Sequence, residues 1–144
     1  MNIQALHSDF IIPTRGTEDS GAFDLYMPEA GCIPEMSITP VKVPLGFASE
    51  IPKGYIAIIL PRSGTGSKHG VELQNTAGVI DADYRGQWFA FLNTKTGDEF
   101  TWDKGARVLQ FALVPVLTPE LTLVDSVSRT DRGQGGFGST DTKA

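Results

Sequence analysis

Cysteine, basic clusters and long apolar runs are all scarce in this chain, and each scarcity closes off a class of protein. Cys32 is the only cysteine, which excludes an intrachain disulfide and any multi-cysteine metal knot. It fits a reducing compartment, so a cytoplasmic location is the expectation. No block of Lys or Arg occurs and the net charge is −5. The electrostatic footprint of a protein that grips long nucleic acid is therefore missing, and no nucleic-acid partner is expected. No segment approaches the roughly 18 apolar residues of a membrane span, and the opening "MNIQALHSDF" lacks the basic region and apolar stretch of a signal peptide. No membrane partner is expected either. His7 and His69 stand far apart and match no zinc spacing.

What is present suits one compact domain. A length of 144 residues with 40% hydrophobic composition buries a sizeable core but leaves no room for a second one. Sixteen glycines and nine prolines interrupt the chain too often for long helices, which points to an all-β protein of short strands joined by turns. Strand-like runs rich in β-branched and aromatic residues lie at Asn2 to Leu6, Ala22 to Met27, Ile38 to Ala48, Tyr55 to Leu60, Trp88 to Asn93, Glu99 to Trp102 and Arg107 to Val116. No window sustains a helical stripe, so at most one short helix is expected, just after Pro61. "VELQNTAGVI" from Val71 to Ile80 reads as a hairpin whose tip, between Asn75 and Gly78, bends tightly. From Ser126 onward the chain is polar and Gly-rich; residues 1–125 are expected to form the β domain and 126–144 a mobile arm.

Several motif matches fail on context. "GQGGFG" at Gly133 to Gly138 satisfies G-x-G-x-x-G, but too few residues follow for a helix behind it, which excludes a dinucleotide-binding fold. "DADYRG" starts like a calcium loop, yet Arg85 occupies a ligand position and Leu92 stands where the bidentate Glu belongs. "PRSGTGSKHG" at Pro61 to Gly70 is stronger: Arg62 offers a planar fork suited to phosphate, Ser63 a hydroxyl, and Gly64 and Gly66 a backbone that an anion can approach. A polar turn capping a strand is the competing reading. In "GVIDADYRG", Asp81 and Asp83 share one side of an extended strand, and Arg85 can tie up one of them in a structural pair. Taken alone, that segment is either an ion-paired turn or part of an active site.

Five separated segments decide between these readings: "GAFDLYMPEAG", "PRSGTGSKHGV", "NTAGVIDADYRGQ", "GARVLQFALVPV" and "RGQGGFGST". In this order they closely resemble the five motifs of the trimeric dUTPase family, dUTP diphosphatases that split dUTP into dUMP and pyrophosphate. The resemblance runs from Gly21 to Thr140. Phe23, the pair Thr65-Gly66 and the run "RVLQF" depart from the commonest family residues without touching a position of chemistry. The related dCTP deaminases share the fold, but they place a glutamate where this chain has Asp81.

The resemblance implies a distorted jelly-roll or β-barrel subunit, a homotrimer with active sites at its subunit interfaces, and a C-terminal arm that closes over a site. It implies Mg²⁺ as cofactor, carried by the triphosphate, with Asp24 touching a metal-bound water. Asp81 corresponds to the carboxylate that holds the attacking water. Asn75, with the backbone of Gly78, Val79 and Ile80, corresponds to the uracil site. Tyr84 corresponds to the aromatic that packs on deoxyribose and excludes a 2′-hydroxyl, and Phe89 to a backbone contact with the base. Arg62, Ser63, Gly64 and Gln110 correspond to phosphate contacts. In the arm, Arg132 reaches the γ-phosphate, Phe137 covers the uracil ring, and Gly138, Ser139 and Thr140 lend donors. The implied role is to keep uracil out of DNA and supply dUMP for thymidylate synthesis. Asp83, paired with Arg85, is expected to be structural.

Overall fold

A computed structural model describes residues 1–136. Among these, twelve strands and one helix occur: β1 (Asn2–Ala5), β2 (Thr14–Arg15), β3 (Ala22–Tyr26), β4 (Gly31–Ile33), β5 (Val41–Pro44), β6 (Phe47–Glu50), β7 (Tyr55–Pro61), α1 (Ser63–His69), β8 (Val71–Leu73), β9 (Gly78–Ile80), β10 (Phe89–Thr94), β11 (Phe100–Trp102) and β12 (Arg107–Pro115). The expected all-β architecture with one short helix after Pro61 is what the chain adopts. No helix of the described residues is long and apolar enough to cross a membrane.

The largest sheet has five strands in the order β2-β3-β12-β7-β9, and β5-β10-β8, β1-β6 and β11-β4 form smaller ones. All pairings are antiparallel. The nine-residue β12 is flanked by β3 and β7. Its inward residues Leu109 and Phe111 are buried, whereas Gln110 and Ala112 face outward. Aromatic rings knit the core: Trp88 lies 4.7 Å from Phe47 and edge-on to Phe111 at 5.3 Å. Such offset and edge-to-face contacts add to the stabilisation from burying large rings.

Two expected elements are corrected. The run Ile38 to Ala48 is not one strand: β5 ends at Pro44 and β6 starts at Phe47, in different sheets. Gly46 makes the break at φ +78°, a conformation open to glycine, while Leu45 N–H donates to Trp88 O and Trp88 N–H to Phe47 O. The Val71 to Ile80 stretch does turn, but its arms do not pair as a hairpin. β8 pairs with β10 and β9 with β7, so the loop between them leaves one sheet and enters another. Thr76 turns the chain at φ +68°, with Ala77 N–H donating to Asn75 O at 2.7 Å. The strands β2 and β4, of two and three residues, carry no alternation by which sequence alone reveals a strand.

The helix α1 reads "SGTGSKH", buries no residue and contains two glycines, so it is too short and too weak a helix former to persist alone. Its ends hold it. Arg62 N–H donates to Val108 O, and Gly70, in the left-handed region, caps it by donating to Gly66 O. Beyond Pro115 no strand occurs among the described residues, and Leu117, Leu121 and Leu123 are almost fully exposed.

Candidate active site

The first group of site residues gathers on the outer face of the five-stranded sheet. Asp24 on β3 lies opposite Gln110 on β12, and Leu60 on β7 lies on the other side of Gln110. Asp24 is only 6% exposed, so its carboxylate needs partners to stay charged. It has two: Arg62 Nε at 2.8 Å from one oxygen and Arg107 Nη1 at 3.1 Å from the other. Gln110 Nε2 donates to Pro61 O at 3.1 Å, which ties the start of α1 to β12.

Arg107 reaches Asp24 because β12 is irregular. The register shifts between Arg107, opposite Tyr26, and Leu109, opposite Leu25, leaving Val108 as an extra residue. Strict alternation would put Arg107 on the inward face with Leu109. The bulge turns it to the face that carries Asp24. Arg62, Ser63, Gly64 and Arg107 line a cleft of about 640 Å³ that continues past Lys68 and His69. Sequence reasoning assigned Arg62, Ser63, Gly64, Gln110 and Asp24 to this place and missed Arg107.

The second group lies elsewhere on the chain. Val79, Ile80, Asp81, Tyr84 and Phe89 line a cleft of about 260 Å³ together with Gln87 and Phe91, neither of which sequence reasoning singled out. No lining residue is shared between the two clefts. Asp81 is exposed, and its carboxylate has no ion pair or hydrogen bond among the described residues. Tyr84 donates its hydroxyl to Gln87 O at 2.9 Å. Lys42 Nζ sits 4.1 Å from the centre of the Phe89 ring, a cation–π contact that covers that ring's face.

Two expectations about this segment are corrected. Asp81 and Asp83 do not share the side of a strand, because β9 ends at Ile80 and the chain enters a turn in which Tyr84 N–H donates to Asp81 O. Asp83 does not pair with Arg85. The guanidinium instead donates to Ala82 O at 2.7 Å and Tyr84 O at 3.1 Å, because a turn aims carbonyls inward where a side chain two residues away points outward.

The remaining expected residues stand apart. Asn75 is exposed at the turn and Gly78 is buried, and neither lines the second cleft. Arg132 is exposed and donates to Gly135 O within its own tail segment. Phe137, Gly138, Ser139 and Thr140 lie outside the described residues.

Comparison with known proteins covers both clefts and the tail. The family model named dUTPase matches residues 8–141. The chain belongs to the dUTPase family. The deoxyuridine 5′-triphosphate nucleotidohydrolase of Enterobacter sp. (strain 638) is 40% identical over 139 residues, spanning 93% of this chain and 89% of the relative. That of Nautilia profundicola is 38% identical over 143 residues, spanning 97% of each. Among solved structures, a mutant dUTPase of Staphylococcus bacteriophage 80alpha with dUpNHpp matches at TM-score 0.85 and 24% identity, covering 96% of both chains. A mutant dUTPase of phage phi11 of S. aureus, described with a coordinated structural Mg(II) ion, matches at TM-score 0.77 and 20% identity, covering 87% of this chain and 96% of that one. These structures share its fold, and family membership makes the chain a dUTP nucleotidohydrolase.

Proposed function

We propose that the chain hydrolyses dUTP to dUMP and pyrophosphate by in-line attack of a water held by Asp81 on the α-phosphorus, at sites completed between three copies of the chain. The observation that carries this reading is the contrast between its two site carboxylates. Asp24 is buried and shared by two guanidinium groups, while Asp81 is exposed in its cleft without a partner among the described residues. Both Asp24 oxygens are already taken up by arginine, whereas the free carboxylate of Asp81 beside its cleft can hold a water. Orientation of the water and neutralisation of phosphate charge supply most of the rate.

The substrate divides between the two clefts and the residues beside them. Arg62, Ser63, Gly64 and Gln110 receive the phosphates, joined by Arg132 from the arm, with Gly138, Ser139 and Thr140 as donors. Asn75 and the backbone of Gly78, Val79 and Ile80 receive uracil, Phe89 adds a backbone contact, and Phe137 covers the ring. Uracil presents O4 as acceptor and N3–H as donor, and cytosine reverses both. The wrong base leaves buried groups unpaired, a mismatch worth discrimination of about 10⁴. Thymine differs by one methyl and is refused by a clash with the turn. Tyr84 packs on deoxyribose and leaves no room for a 2′-hydroxyl.

Mg²⁺ fits this site as a companion of the triphosphate. No cluster of three or more His, Cys, Asp or Glu side chains forms a cage among the described residues. Both Asp24 oxygens already accept from arginine, which suits contact through a metal-bound water. When bound, the ion offsets the negative charge of the phosphate chain.

Three-fold assembly is supported by the outer sheet face. Ile58 lies in register between Ala112 and Val79, and Leu60 beside Gln110. Val79 is 55% exposed and Leu60 37% in the single chain. An apolar row that runs directly into the Gln110 and Asp24 row suits a second copy, whose own Asp81 cleft then meets these phosphate ligands.

The deciding experiment is pyrophosphate release from dUTP, dCTP, dTTP and UTP with Mg²⁺, for the wild type and Asp81→Asn. Turnover of dUTP alone, with a loss of about 10²-fold or more in the variant, is expected. Comparable rates on dCTP or dTTP, or full activity in the variant, would sink the reading.

A further inference from the structure

Gly86 is the residue against which the Tyr84 ring rests. A Cβ placed at Gly86 would lie 2.6 Å from Tyr84 Cζ and 3.0 Å from Cε2, and would overlap the hydroxyl oxygen outright. Gly86 does not adopt a left-handed φ, so its backbone is one that any residue accepts. What demands glycine here is the ring alone.

Other contacts fix the surrounding backbone without help from the ring. Tyr84 N–H donates to Asp81 O, and Arg85 holds the carbonyls of Ala82 and Tyr84. The ring itself is 41% exposed and is tied down by one hydrogen bond, to Gln87 O. A methyl at position 86 therefore displaces the ring at little cost to the fold, because the ring is partly exposed and held by that single hydrogen bond.

We propose that Gly86 is a positioning residue for sugar discrimination: by lacking a side chain, it seats the Tyr84 ring in the cleft at the depth that excludes a ribonucleotide. This rests on the reading of Tyr84 as the wall against which deoxyribose packs. Gly86 acts through Tyr84 and touches no substrate. A displaced ring no longer stands at the depth that Gly86 sets, so the wall against which deoxyribose packs is misplaced and the effect falls on selectivity.

The test compares kcat/KM for dUTP and UTP in the wild type, Gly86→Ala, Tyr84→Ala and the double variant, with thermal unfolding of each as a check on folding. The expected result is a dUTP-to-UTP ratio lowered at least about tenfold in Gly86→Ala, since small misplacements of a positioning group cost factors of this size. The double variant should be no less selective than Tyr84→Ala, because Gly86 has nothing left to position. A ratio within about twofold of wild type in Gly86→Ala, beside a lowered ratio in Tyr84→Ala, overturns the role of Gly86 and leaves the sugar wall standing. An unchanged ratio in Tyr84→Ala overturns the wall and this proposal together. A further fall on adding Gly86→Ala to Tyr84→Ala also overturns it, since Gly86 would then act on something other than the ring.

Discussion

Arg107 donates from Nη1 to Asp24 Oδ2 across 3.1 Å, joining the first residue of β12 to the middle of β3. The pair forms only because the bulge at Val108 turns Arg107 outward.

Arg107→Ala leaves a buried carboxylate with one guanidinium instead of two. Breaking a buried pair costs several kcal/mol, but the Arg107 side chain is 45% exposed and water replaces part of what is lost, so about 1–2 kcal/mol is expected. Thermal unfolding should fall by several degrees, and kcat/KM for dUTP by about tenfold or more. Arg107→Lys keeps the charge without the planar fork and should recover only part of either. Wild-type kinetics in Arg107→Ala would remove this residue from the phosphate side.

Arg85→Ala and Asp83→Ala separate two accounts of the turn that carries Asp81. The guanidinium holds two carbonyls, and Asp83 pairs with nothing among the described residues. Arg85→Ala should cost about 1 kcal/mol and slow turnover, whereas Asp83→Ala should stay within about 0.5 kcal/mol of wild type. Equal losses measured by chemical denaturation would restore the ion-pair account.

This turn marks how far the sequence is legible. The long runs that became β7 and β12 are readable because apolar residues, many of them β-branched or aromatic, run almost unbroken between a Pro or Gly at each end. Their neighbours are not, because nothing within β12 says that it lies between β3 and β7. Asp24 and Arg62 are recognisable through the motifs that hold them. Their contact with Arg107 is not, since it depends on one extra residue shifting a register. Asp83 and Arg85 mislead because opposite charges two apart suggest a pair, while the turn offers the guanidinium closer carbonyls.

Ile58→Asp tests assembly. A carboxylate at the centre of the row formed by Val79, Ile58 and Ala112 cannot be buried against a second copy without a large penalty. Light scattering should show three chains for the wild type and smaller species for the variant, with turnover lost in parallel. A variant that keeps both its mass and its activity would place the interface elsewhere.

Gly31→Ala tests the packing behind Trp102, which lines the larger cleft. A Cβ at Gly31 would lie 2.6 Å from Trp102 Cε2, and that indole is 8% exposed and fixed by donation to Glu29 O. With no room to retreat, the overlap should cost about 1–3 kcal/mol and lower the unfolding midpoint by several degrees.

Cys32 gives a test by pH. Partial burial first, and the Glu99 carboxylate second, push its thiol above the ordinary cysteine range. The thiolate is the reactive form, so alkylation at neutral pH should be slower than for free cysteine. Glu99→Gln should move the rate profile to lower pH. The folded chain keeps this proton to higher pH than the unfolded chain, so alkaline conditions that ionise an ordinary thiol favour unfolding. A profile that matches free cysteine would contradict the influence of Glu99.

The parting of β8 and β9 gives the chain a seam. Gly78 lies where the two sheets meet, and a Cβ there would stand 3.2 Å from Ile59 Cβ in one sheet and 3.3 Å from Leu73 Cδ2 in the other. Any side chain at this spot is a wedge driven between two layers, and the four residues from Gln74 to Ala77 are the strap across the gap. The stretch proposed to meet the base is thus strung between two sheets.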